Sequence, residues 1–228
     1  MDELRAIDVL GKDWVVAVLL TVFGIVAWVN MASPRQWSVI RHSFFAFRLG
    51  KQSLRDELSL QDRTLLALLA VAVVLIALFS YQVVVFNGWV IPGVAVFGRI
   101  LALVVAVLIA RILLLRCLSL LTNEDGGTAE YVDTLVTFTI VLGLALLPVA
   151  MLIAYPMHTA WRSWLWLAGV AVAAAVLLFR WLRAAVIGIG SGVPLRYIFL
   201  YLCAAEILPV ALALQQARQH ILLPSHPL

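Results

Sequence analysis

Thr64 to Phe86 is a run of 23 residues without a charged side chain, and it settles what this chain folds in. A helix rises about 1.5 Å per residue, so roughly 20 apolar residues cross a bilayer core of about 30 Å. Similar runs recur along the chain, and together they predict six spans near residues 14–31, 64–86, 94–115, 132–155, 164–182 and 197–214. In lipid only helices and closed barrels satisfy every backbone polar group. Runs this long lack the in-out alternation of barrel strands, so the expected fold is all-α. The expected architecture is a polytopic transmembrane helical bundle in one domain over residues 1–228.

Composition agrees. The chain is 64% hydrophobic and 12% charged, with a mean hydropathy of +1.08; soluble domains carry about 25% charged residues. The formal net charge of +4 fits basic membrane anchors, and no nucleic-acid motif accompanies it. The first hydrophobic run follows Met-Asp-Glu-Leu-Arg, without a basic leader or a small-residue cleavage site. It is therefore expected to be retained in the mature protein. Cys117 and Cys203 are far apart and read as small apolar residues.

Basic residues predict orientation. Arg35, Arg41, Arg48, Lys51, Arg55, Arg63, Arg111, Arg116, Arg180, Arg183 and Arg196 fall on one side of the predicted topology. Arg5, Lys12, Arg99, Arg162 and Arg218 fall on the other. The larger set is expected in the cytoplasm, which leaves both termini periplasmic in a bacterial inner membrane. Trp14, Trp28, Trp89, Trp161, Trp164 and Trp181 sit near predicted span ends, where amphipathic rings favour the headgroup level.

The first basic loop holds an amphipathic element, near residues 34–49. Ser33-Pro34 is a helix start, and Trp37, Ile40, Phe44 and Phe47 recur at helical spacing with Arg41 and Arg48 between them. This predicts an interfacial helix on the inner leaflet, its apolar stripe in lipid and its arginines at phosphates. It reads either as a docking surface for a protein partner or anionic headgroups, or as a connector resting on the membrane.

Few polar residues lie in the spans. Glu206 is ten residues past Arg196, about 15 Å in at helical rise, where an ionisable group faces a bundle interior or a wet cavity. Pro209 lacks an N–H, which frees the carbonyl of Ala205 beside it. The pair suits a proton, a cation or a polar headgroup, or equally a structural hydrogen bond. Arg111, five residues inside Arg116, is the candidate charged partner for Glu206. Glu130 and Asp133 open the fourth span, where the helix dipole favours carboxylates. Asn123 to Gly127 reads as a turn, and Gly188 to Gly192 as a hinge without nucleotide-binding spacing. Gly169 with Ala173, and Ala171 with Ala175, predict close helix packing. No metal-ligand spacing, nucleophile pattern or cofactor motif is present.

The string Tyr197-Ile-Phe-Leu-Tyr-Leu-Cys-Ala-Ala-Glu-Ile-Leu-Pro209, with Glu130-Tyr131 and the early basic aromatic loop, resembles domain-of-unknown-function family 4271, a family of Bacteroidota membrane proteins. The resemblance covers most of the chain and implies a polytopic inner-membrane protein. It marks Tyr197, Tyr201, Cys203, Glu206 and Pro209 and assigns no activity. The expected function is that of a non-enzymatic accessory or scaffold component meeting lipids or a membrane protein. The alternative is a small transporter or lipid-handling protein using Glu206.

Overall fold

A computed structural model describes residues 13–34, 37, 38, 40, 63–122, 125–155, 161–190 and 215. Its long elements are five helices: α1 (Asp13–Ala32), α2 (Arg63–Phe86), α3 (Val94–Thr122), α4 (Asp125–Ala154) and α5 (Arg162–Gly190). All five are long and apolar enough to cross a membrane, the pattern of a membrane protein. No strand occurs among the described residues. The predicted sixth span, 197–214, lies outside them.

α2 and α4 form the centre. Within its apolar window α2 is 56% buried and α4 44%, whereas α3 and α5 are each 11% buried. Lipid tails are as apolar as leucine, so burial against protein gains little from the hydrophobic effect; close packing between helices has to supply the difference. The seam supplies it with small residues. Ala72 and Ala77 on α2 face Gly143, Ala150 and Ala154 on α4, all buried. At Gly143 the approach is so close that an added methyl would overlap the backbone and methyl of Ala72.

Consecutive helices alternate in direction, so the central α2 and α4 run parallel. Val15 and Leu19 near the start of α1 pack with Leu78 and Tyr81 late in α2, Phe97 early in α3 and Ala150 late in α4. Val29, at the end of α1, packs with Leu65 and Leu68 early in α2 and with Val136 and Ile140 in the first half of α4. Leu165 and Trp166 at the start of α5 pack beside Ile153. One end of the bundle therefore gathers Arg63, Arg111, Arg116, Arg180 and Arg183. The other holds Arg99 and Arg162. This is the grouping that the sequence anticipates.

The aromatic core at that second end is an edge-to-face set, with Trp14 5.2 Å from Tyr81 and Tyr81 6.1 Å from Phe97. Trp14 is thus a packing residue, while Trp28, Trp89, Trp161 and Trp164 are exposed near helix ends. Three hydroxyl groups in the spans are satisfied locally. Thr21, Ser80 and Thr139 donate to the carbonyls of Ala17, Ile76 and Leu135 in their own helices. Gln82, 1% exposed, instead crosses the seam: its Nε2 donates to the Ala150 carbonyl at 2.9 Å. Interhelical hydrogen bonds in membranes average about 0.6 kcal/mol. Among the described residues the Gln82 Oε1 has no hydrogen-bond partner, so truncation also removes a desolvated acceptor. Gln82→Leu is therefore expected to shift the melting temperature by no more than about 2 °C, by thermal melting in detergent.

Several element ends differ from expectation. α3 runs to Thr122, past the anticipated Leu115, and α4 starts at Asp125, so Gly126 and Gly127 lie in a helix's first turn. α5 continues to Gly190, so Gly188 and Gly190 are helical and Arg183 lies in the helix rather than a loop. Each of these helices is 29 or 30 residues long, well beyond the roughly 20 needed to span. Hydropathy marks the lipid-facing part, but backbone hydrogen bonds carry the helix on into the polar region. α4 continues across Pro148.

The turn between α2 and α3 closes at Gly88, whose φ is 68°. Asn87 Nδ2 caps the Val83 carbonyl at 2.8 Å, and the Gly88 N–H reaches Val85. A left-handed residue after a helix is costly for any side chain with a Cβ. Gly88→Ala is expected to destabilise by about 1 kcal/mol, read by the same thermal melts, although nothing crowds that position.

Two local expectations need correction. The stripe assigned to lipid is used inside the protein at its first members: Ile40 is buried against Val29, Leu65, Leu68, Val136 and Ile140, and Trp37 packs on the same cluster. Phe44, Phe47, Arg41 and Arg48 lie outside the described residues. On α5, Gly169 is buried against Phe79 and Val149 as anticipated, but Ala171 and Ala175 are exposed.

Candidate functional site: a basic cavity between α3 and α5

α3 and α5 flank the central pair on the same side, and between them lies a cavity of about 280 Å³. Val73 and Ile76 of α2, with Phe138, Thr139 and Leu142 of α4, line it from the centre. Leu103, Val104, Val107 and Leu108 of α3 form one wall, and Val176 and Leu177 of α5 form another. Its apolar character follows from the helices: each contributes the aliphatic face that a spanning segment must carry.

Two charges interrupt that lining, Arg111 from α3 and Arg180 from α5. Arg111 is half-buried and Arg180 is 5% exposed. Both sit towards the same end of the bundle. Arg111 is seventeen residues into α3, about 26 Å at helical rise, and Arg180 eighteen into α5, about 27 Å. Within a core of about 30 Å, this places them towards one rim rather than its midplane. Arg183 follows Arg180 by three residues, which is the same helix face. It is 2% exposed, and its guanidinium lies 5.8 Å from the ring centroid of Phe138, a cavity-lining residue. Phe179 stands 6.0 Å from Phe138 on its other contact. An arginine over an aromatic face is stabilised by the ring quadrupole, most strongly when desolvated.

Guanidinium groups present planar donors to phosphate or carboxylate and stay charged when buried. Basic groups from two helices at one end of an apolar cavity are therefore suited to an amphiphile, with an anionic head at the arginines and a chain segment along the leucines and valines. The volume lies just below the usual small-molecule range of about 300–1,000 Å³, so it accommodates part of such a molecule rather than a whole two-chain lipid.

Of the residues singled out from sequence, Arg111 reaches this cavity and Trp37 packs elsewhere on the bundle. Glu130 and Asp133 fall in the second and third turns of α4. Glu206, Pro209, Tyr197 and Tyr201 lie outside the described residues, as does the Arg111–Glu206 pairing. Sequence reading missed Arg180 and Arg183 as site residues by counting them as loop charges. The available signal was their spacing of three on a helix whose apolar pattern continues through Ala184 to Ile189. Among the described residues, no group of His, Cys, Asp and Glu stands together as metal ligands do.

No curated protein and no solved structure matches this chain. The family described as "Domain of unknown function (DUF4271)" matches residues 15–215, which contain all of α2 to α5 and nearly all of α1. With most of its length covered by that match, the chain belongs to domain-of-unknown-function family 4271.

Proposed function

We propose that this protein is a non-catalytic, multi-pass membrane component that binds an anionic amphiphile at the inner rim of the bilayer, with Arg111 and Arg180 on the headgroup. The supporting observation is the convergence of these two arginines, from the two helices that wall it, on one apolar cavity. Intramembrane charges are expensive and are kept where they have a task. The reading takes up the anionic-lipid branch expected from sequence and moves it from the first loop to the cavity. Six spans, an interfacial helix over 34–49, periplasmic termini and a Bacteroidota inner membrane complete the proposal. They rest on hydropathy, the distribution of basic residues and the family resemblance.

The test is purification from host membranes in mild detergent, followed by mass spectrometry of retained lipids. The expected result is enrichment of one class carrying phosphate or carboxylate, whether a phospholipid or a single-chain amphiphile. Retention of lipids in bulk-membrane proportions would count against the reading. A stoichiometric protein partner with no enriched lipid would instead favour the scaffold reading.

A further inference from the structure

We infer that the cavity between α3 and α5 selects for chain length: it takes one unbranched hydrocarbon chain of about ten carbons, with Phe79 as its floor. The inference deepens the proposed function and rests on it, since the head of that chain is the one placed at the arginine end.

The length comes from the apolar wall. Leu103 is the lining residue of α3 farthest from Arg111, eight residues away and so about 12 Å at helical rise. An extended hydrocarbon advances about 1.3 Å per carbon, given bonds of about 1.5 Å. The track therefore matches about nine or ten carbons. At about 280 Å³ the space is that of one chain rather than a pair. Arg111 and Arg180 each engage other groups of the protein; the length limit is set by the aliphatic wall and not by their charge.

Three helices build the floor. Moving away from the arginines, the turn of α2 after Ile76 brings in Phe79, and the turn of α4 after Leu142 brings in Leu146; they are 7% and 1% exposed. Ile76 and Leu142 line the cavity and also pack on the buried cluster of Phe79, Leu146 and Ile153. α5 contributes Gly169, about three helical turns from Arg180. A methyl group at that position would overlap the Phe79 ring, so the ring sits directly against the α5 backbone. Glycine thus lets an aromatic ring bridge α2 and α5 at the end of the track. With backbone on one side and buried Leu146 among its neighbours, the ring cannot give way cheaply to a longer chain.

Titration of the purified full chain with n-alkyl phosphates tests the limit. Hexyl, octyl, decyl, dodecyl and tetradecyl phosphate carry the same head and differ in length alone, and each affinity is corrected for partition into the detergent. Wild type is expected to bind decyl phosphate best and tetradecyl phosphate at least about fivefold more weakly, because methylenes forced against a close-packed layer strain it. Phe79→Ala removes the floor and should bind tetradecyl phosphate at least as tightly as decyl phosphate. Leu142→Phe fills the track from its side and should move the optimum to octyl phosphate or shorter, a readout that also stands if Phe79→Ala does not fold. Phe23→Ala, on the exposed face of α1, should keep the wild-type optimum. Wild-type affinity that climbs steadily to tetradecyl phosphate, or an optimum that stays at decyl phosphate in either folded cavity variant, overturns the length limit and leaves the amphiphile reading standing. Binding of none of the five phosphates rejects that reading, and the length limit with it.

Discussion

Gly143→Val is expected to be the most damaging single substitution in the described bundle. The reason is the seam between α2 and α4, where an added Cβ at Gly143 would occupy the same space as the backbone and methyl group of Ala72. A flexible side chain swings aside, but backbone does not, and Ala72 is held in turn by Leu68, Val136 and Ile140. The helices have to separate, and every contact along the seam loosens with them. Overpacking costs about 1–3 kcal/mol, and more when backbone must move. Taking the upper figure of about 3 kcal/mol, at about 2–4 °C per kcal/mol for a chain of this size, the melting temperature should fall by about 6–12 °C. Gly143→Ala should already show part of the loss. Gly98→Ala on α3, where nothing lies near, should change stability by less than about 0.5 kcal/mol. Equal tolerance at positions 143 and 98, in thermal melts of purified protein, would contradict the close seam.

Arg180→Gln is expected to give the largest functional effect. Glutamine keeps hydrogen-bonding capacity and much of the length while removing the charge. Hydrogen bonds to charged groups contribute about 1.5–3 kcal/mol, so affinity for a short-chain anionic lipid should fall about 10- to 100-fold. Arg111→Gln should act in the same direction, and the double variant should lose less than the sum, because both groups serve one headgroup. Arg116→Gln lies on an exposed part of α3 outside the cavity and serves as the control, with a change of less than about threefold. Equal losses for Arg116→Gln and Arg180→Gln, measured by titration in detergent, would mean that general surface charge rather than the cavity attracts the lipid.

The spans were legible because lipid imposes one demand on every segment, a continuous apolar run. Thr64–Phe86 satisfies it so fully that its helix was placed to within a residue. The ends of α3, α4 and α5 were not legible, since Gly126–Gly127 and Gly188–Gly190 carry turn-like composition that backbone hydrogen bonds override. The seam was visible in principle as Gly143, Ala150 and Ala154 at helical spacing. Reading it required knowing which helix lay opposite, and the more conspicuous small residues of α5 drew attention instead. The cavity was half legible: Arg111 stood out within an apolar run, but Arg180 and Arg183 looked like flanking charges because the fifth span was ended at Leu182. No single-sequence pattern brings α3 and α5 to the same side of α2 and α4; that follows from packing.

The most direct test of the central claim is the melting temperature of the wild-type protein in nanodiscs of phosphatidylglycerol compared with phosphatidylcholine, alongside the Arg111→Gln, Arg180→Gln double variant. Ligand at about 100 times its Kd stabilises by about 2.7 kcal/mol, so the account predicts a wild-type melting temperature several degrees higher in the anionic discs and no such difference in the variant. Equal melting temperatures for the wild type in the two lipids, or an anionic shift that persists undiminished without the two arginines, would contradict it.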